Sequence, residues 1–221
     1  MKMIERRVLS KEEQDIRTGL QELHNKVQQA IESVCTALTR LDSALCESII
    51  ANDKAINAQH NQIQQTCLTT IATQQPVAVD LRLLIAGLQI SSELERIADY
   101  VSGIAANIIN MANNEPLENI DDVLAMANAG KSMLQQAIQA YQANDHELAI
   151  TVAGQDRKID DMQTQISNDI IQQMCKNTSL VPFGTGMLWI VHSLERIGDR
   201  ATNICEQIVY IKKGEILDLN C

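Results

Sequence analysis

Aromatic residues are almost missing from this chain of 221 residues: one Phe, one Trp and three Tyr, 2% in all. Sheet-rich folds draw heavily on aromatic and β-branched side chains, so the scarcity argues against them. Helix breakers are sparse too, with nine Gly and three Pro. What fills the space is Ala, Leu, Ile and Gln, a composition that favours helix. Positive charge is in deficit, with 18 Lys and Arg against 28 Asp and Glu and a formal charge of −10. Nucleic-acid binders carry a basic footprint, so that class is set aside. An anionic leaflet is an equally poor match, and any membrane association is expected only through partner proteins. The most apolar run, Leu81 to Ile90, is broken by Arg82 and Gln89 and falls far short of the ~20 residues that span a bilayer. The N-terminus, Met1 to Arg7, is charged and is followed by no apolar segment, so no secretory signal is expected. The chain reads as soluble and cytoplasmic. Its six cysteines form no C-x-x-C pair and read as reduced thiols packed on helices, with Cys221 expected to be the most exposed. Gly-rich phosphate loops, G-x-S-x-G and H-E-x-x-H are all lacking.

What is present is a duplication. Leu94-Glu95-Arg96-Ile97-Ala98-Asp99 returns as Leu194-Glu195-Arg196-Ile197-Gly198-Asp199, an offset of 100 with five of six residues identical. Upstream, Asp42-x-x-Leu45 and Asn52-Asp53-Lys54-x-Ile56-Asn57 match Asp145-x-x-Leu148 and Gln155-Asp156-Arg157-x-Ile159-Asp160 at an offset of 103. The three-residue difference belongs in a loop, because inside a helix it would rotate the whole apolar face. An all-α fold of two tandem three-helix bundles of long antiparallel helices follows, with copies spanning 1–113 and 117–221 and a boundary at Asn113-Asn114-Glu115-Pro116. Expected helices run from about Ser10, read as an N-cap, to Ala51; from Asn52 to Thr73; from Pro76, read as the first helical residue, to Ala112; from Asn119 to Gln142; from Asp145 to Cys175; and from Gly186 to Lys212. In the last, Leu188, Val191, Leu194, Ile197, Ala201, Ile204, Ile208 and Ile211 form an apolar stripe.

The carboxylates lie beside that stripe. Glu195 and Asp199 stand one helical turn apart, as do Asp156 and Asp160 on the preceding helix. His192 and Glu206 lie near the same face. Four facing carboxylates repel unless a cation neutralises them, and oxygen-rich, His-poor ligands suit hard cations. The first copy is weaker: Glu95, Asp99 and Asp53 are present, but Asn57 replaces the second acid, His60 stands where the second copy has Gln163, and Ser92 and Ala106 replace His192 and Glu206. A second reading pairs these acids with Arg96, Arg196 and Arg200 in salt bridges that need no metal. A ferritin-like di-iron centre is disfavoured, because it needs Glu-x-x-His on two helices and the chain has only His192-x-x-Glu195. His24, His60 and His146 read as surface residues, and Trp189 as a packing residue.

Three stretches resemble the PhoU family of phosphate-uptake regulators: Gln75-Pro76-Val77-Ala78-Val79-Asp80-Leu81-Arg82-Leu83, Ser92-Glu93-Leu94-Glu95-Arg96-Ile97-Ala98-Asp99, and Ser193-Leu194-Glu195-Arg196-Ile197-Gly198-Asp199-Arg200-Ala201-Thr202-Asn203-Ile204-Cys205-Glu206. The resemblance implies two three-helix bundles and a cytoplasmic, homodimeric, non-enzymatic regulator. Such proteins link the phosphate ABC transporter's ATPase subunit to a sensor histidine kinase and repress the phosphate-starvation response. It also implies metal at (E/D)xxxD motifs, here Glu95 and Asp99, Glu195 and Asp199, and Asp156 and Asp160, with iron, manganese, zinc or magnesium as candidates. Asn57 departs from the motif in the first copy. Ala98 in place of Gly adds a methyl that widens the local helix approach. The alternative from a different class is a metal-dependent enzyme or metal-storage bundle using the clustered carboxylates.

Overall fold

The computed structural model describes residues 2–117, 120–215 and 217–219, with side chains from residue 9 onward. Seven α-helices follow in order: α1 (Lys2–Arg40), α2 (Ser43–Gln74), α3 (Ala78–Met111), α4 (Asp121–Ala143), α5 (His146–Ala153), α6 (Asp156–Lys176) and α7 (Val181–Lys213). Among the described residues there is no strand, and no helix is long and apolar enough to cross a membrane. Helices α1 to α3 form the first bundle. In the second, α5 and α6 together take the place of α2.

Several boundaries differ from those expected. Ser10 lies inside α1, not at its start. That helix ends at Arg40 rather than Ala51, because Leu41 turns into the left-handed region (φ 50) and Asp42 caps the next helix by accepting from the Leu45 amide at 3.0 Å. The second copy repeats this hairpin: Asn144 is left-handed (φ 53), and Asp145 accepts from the Leu148 amide at 3.0 Å. In both, the Asp amide reaches back to an alanine carbonyl, Asp42 to Ala37 and Asp145 to Ala140, a Schellman closure followed at once by an N-cap. Pro76 precedes α3 rather than opening it. Pro182, expected in a loop, sits in the first turn of α7, where a missing N–H costs nothing. The helix expected from Asp145 to Cys175 breaks at Gly154-Gln155. Asn119 and Cys221 lie outside the described residues.

The apolar stripes behave as their spacing requires. On α7, Val191, Leu194, Ile197, Ala201, Ile204, Ile208 and Ile211 are buried, and only Leu188 of the expected set is half-buried. Trp189, by contrast, is 58% exposed and is not a core residue. Cys46, Cys67 and Cys205 are buried free thiols, and burial pushes Cys67 and Cys205 up to about 12. Cys175 is exposed.

The two bundles join along two antiparallel seams. On α3, Arg82 donates to the Ile211 carbonyl (3.1 Å), Glu93 meets Arg200 (3.3 Å) and accepts from Asn203 (3.2 Å), and Asn107 donates to the Gly186 carbonyl (3.3 Å). Numbers fall along α7 as they rise along α3. The α1–α4 seam is built the same way, with Arg17 donating to the Tyr141 carbonyl (3.0 Å) and Gln28 to the Lys131 carbonyl (2.9 Å). His24 lies within this seam, fully buried, its Nε2 3.0 Å from Gln135 Oε1. It is therefore not the surface residue its sequence context suggests, and burial lowers its pKa.

Candidate functional site: two unequal acidic faces

The break at Gly154-Gln155 restarts the helix at Asp156, the first residue of α6. Asp156 and Asp160 then project from α6, and Glu195 and Asp199 from α7, into one open pocket of about 460 Å³ that Gln163 and Leu219 also line. All four acids expected in the second copy are thus brought together. Gly198 sets how closely the helices approach. A Cβ at that position would lie 2.8 Å from Asp156 Oδ1 and 3.0 Å from Ile159 Cδ1, so only a bare Cα leaves room for the carboxylate. Gly198→Ala is expected to destabilise the protein by about 2 kcal/mol through overpacking, measured as a lower urea midpoint with an unchanged slope.

Electrostatics divides the four acids. Arg196 pairs with both α7 residues, at 3.4 Å from Glu195 and 2.6 Å from Asp199, and His192 stands 3.5 Å from Glu195. Arg200, which sequence spacing offers to Asp199, instead crosses to Glu93 of the other bundle. Salt bridges therefore answer part of α7's charge, and none reaches Asp156 or Asp160 among the described residues. Asp156 is 8% exposed, and its Oδ1 is buried without a hydrogen bond of good geometry, although the nearby Thr202 hydroxyl opposes the rise in its pKa. Burial, followed by the charges of Asp160, Asp199 and Glu195, pushes its pKa up to about 7. Burial and Asp199 raise Asp160, and burial and Asp199 raise Glu195 against the pull of Arg196 and His192.

The first copy assembles its counterpart differently. Asn57 donates to Asp53 Oδ2 at 2.9 Å, so an amide replaces the second carboxylate and occupies one oxygen of the first. Asp53 Oδ1, Asn57 Oδ1 and His60 Nδ1 are buried without hydrogen-bond partners. Burial and then Asp99 raise Glu95, with His60 pulling it back; burial and Asp53 raise Asp99. His60 is half-buried against the acids, not a free surface residue. Packing beside the face is looser as well. In the second bundle Gln136 and Gln155 donate to each other, at 3.4 and 3.1 Å. Ser33 and Asn52 hold those positions in the first, and with Asp53 and Ala98 they line a cavity of about 240 Å³.

The donor set of the second face is carboxylate oxygen, the chemistry of a hard cation. The buried Asp156 oxygen without a hydrogen bond and the glycine cradle fit that use. Among the described residues, however, no three His, Cys, Asp or Glu side chains converge as a ready-made metal site. The face is an open acidic wall, and a cation there would fill its remaining positions with water or with groups from elsewhere.

A tandem pair of helical bundles, each with an acidic face on its second and third helices, defines the class. A family model described as the PhoU domain matches the chain twice, at residues 20–108 and 123–208. A phosphate-specific transport system accessory protein PhoU homolog of Streptococcus pneumoniae is 35% identical over 184 residues, 83% of this chain and 85% of that protein. The homolog of Clostridium acetobutylicum is 30% identical over 216 residues, covering 97% and 99%. The crystal structure of the phosphate transport system regulatory protein PhoU from S. pneumoniae superposes with a TM-score of 0.89 at 31% identity, covering 95% of this chain and 99% of that one. PhoU from Pseudomonas aeruginosa gives 0.87 at 29% identity. The chain belongs to the PhoU family, whose members named here are accessory and regulatory proteins of phosphate transport.

Three features of the site are absent from the sequence reading. Glu93 is one residue from the repeated motif, and its partner lies across the seam. The Asp156 orphan needs the α6–α7 packing to be seen. Leu219 carries no motif signal at all.

Proposed function

We propose that this chain is a cytoplasmic, non-enzymatic regulator of phosphate uptake. It works by binding: as a homodimer it engages the ATPase subunit of a phosphate ABC transporter and a sensor histidine kinase, and it holds down the phosphate-starvation response when phosphate is plentiful. Similarity across nearly the whole chain to proteins named as accessory to phosphate-specific transport supports this reading most strongly. The site adds a working part. The second acidic face takes a hard cation on Asp156, Asp160, Glu195 and Asp199, which relieves their mutual repulsion and sets the shape of that bundle face. Manganese, magnesium and iron suit all-oxygen ligands better than zinc does. Asp53, Glu95 and Asp99 hold a cation more weakly, because Asn57 supplies an amide where the second face has a carboxylate.

A clean deletion tests the function. Strains lacking the chain should show raised phosphate-responsive transcription and altered phosphate uptake in phosphate-rich medium, both restored by the wild-type gene. Unchanged transcription and uptake would overturn the reading.

A further inference from the structure

The end of α7 reverses on itself. Gly214 closes the helix in the left-handed region (φ 77), and its amide donates to the Tyr210 carbonyl at 2.9 Å. A side chain there would run into the Arg82 guanidinium, 3.2 Å from the position of a Cβ. Residues 217–219 lie back against the bundle. Leu217 and Leu219 pack on the core as half-buried side chains, while Asp218 between them faces solvent. The Leu219 amide donates to Glu206 Oε1 at 2.8 Å. Leu219 also lines the second acidic pocket beside Asp156, Asp160, Glu195 and Asp199. The latch belongs to the second copy alone: the residue matching Glu206 in the first is Ala106.

We propose that Leu217–Leu219 form a strap across the rim of the second acidic pocket, latched by the Leu219 amide on Glu206, and that release of the strap opens the pocket to cations. The gating half rests on the cation reading above; the strap itself does not. Two leucines anchor the segment with little buried area, so it opens at far lower cost than the helices beneath it. Leu219, which lines the pocket beside the carboxylates, also keeps water from one side of them, so a cation entering past it sheds hydration under that cover. The cavity beside Asp53 is lined, among the described residues, by α1, α2 and α3 alone, so the two faces exchange ions at different rates.

The test uses full-length protein in three forms: wild type, Glu206→Ala, and Leu217→Ser/Leu219→Ser, the last of which leaves every carboxylate in place. An equilibrium Mn²⁺ titration of the wild type is run first, so that a failure of the cation reading is seen separately from a failure of the strap. Amide exchange should be slowed at least about tenfold at Leu219 in the wild type and should return to the open-chain rate in both variants. Stopped-flow mixing with Mn²⁺ should then give association about tenfold faster in the double variant, with helix content unchanged. An open-chain exchange rate at Leu219 in the wild type overturns the strap. Protected exchange with equal Mn²⁺ association rates in wild type and double variant overturns the gate.

Discussion

Glu93→Ala is expected to lower the unfolding free energy by about 3 kcal/mol, because it strands a buried cation. Glu93 and Arg200 keep only 12% and 16% of their side-chain surface exposed, and they meet at 3.3 Å across the α3–α7 seam. Asn203 donates to the same carboxylate oxygen at 3.2 Å, so the substitution removes that bond as well. Arg200 has little else to turn to, since its Nε is already buried without a partner. A solvent-exposed ion pair would be worth ~1 kcal/mol or less; the burial here is what enlarges the effect. Glu93→Gln should cost about 1 kcal/mol, since its amide oxygen still accepts both bonds. Replacing both partners, as Glu93→Met/Arg200→Met, should recover most of the loss, because no charge is then left desolvated. Urea denaturation of the four proteins checks the series. A loss below about 1 kcal/mol for Glu93→Ala would mean that Arg200 reaches water when its partner is removed.

The second large effect is a pH dependence with an unusual sign. Most buried carboxylates in proteins are paired, so stability falls in acid. Asp156 runs the other way: its folded-state pKa is about 7 against an ordinary value of 3.8. Between these values the folded state binds more protons than the unfolded chain, so unfolding free energy falls as pH rises from about 4 to about 7 and levels off above that. Burial and three neighbouring carboxylates make the expected decrease about 4 kcal/mol in cation-free protein. Asp160, Glu195, Glu95 and Asp99 are raised as well and add in the same direction. Asp156→Asn should flatten the profile and raise stability at pH 7.5. Mn²⁺ should stabilise the wild type at pH 7.5, by about 2.7 kcal/mol at a hundred times its Kd, and much less at pH 5, where protons compete for the same oxygens. Melting curves across pH, with and without Mn²⁺, give both results. Stability that rises from pH 4 to 7 without cation would contradict the placement of these acids.

Periodicity carries most of the fold here because the helices are long and strongly patterned. The repeat adds the register, since Asp42 and Asp145 recur with their leucines at the same spacing. The boundary after Arg40 stayed hidden because Leu41 is a poor residue for a left-handed turn; its counterpart Asn144 is a good one. The break before Asp156 has a single glycine as its signal, and the matching stretch of the first copy, Ala51-Asn52, runs through unbroken. The acidic face was legible because one-turn spacing survives any packing. Its inequality was legible only in part: Asn57 and Ala98 can be read directly, whereas the Gln136–Gln155 pair and the Arg200–Glu93 link depend on which helices touch. His24 misleads for the same reason, since its partner Gln135 sits 111 positions away.

On the proposed function, regulation of phosphate uptake runs through the second acidic face. The most direct measurement is phosphate-responsive transcription, in phosphate-rich medium, in a strain whose own gene carries Asp160→Asn/Asp199→Asn, with protein level checked in the same cells. Both changes remove charge without removing volume, so the fold should persist and stability should hold or rise. Transcription should rise toward the level of the deletion strain, with normal amounts of protein. Transcription as low as in the wild type, at normal protein level, would contradict it and leave the acidic faces without a part in the regulation.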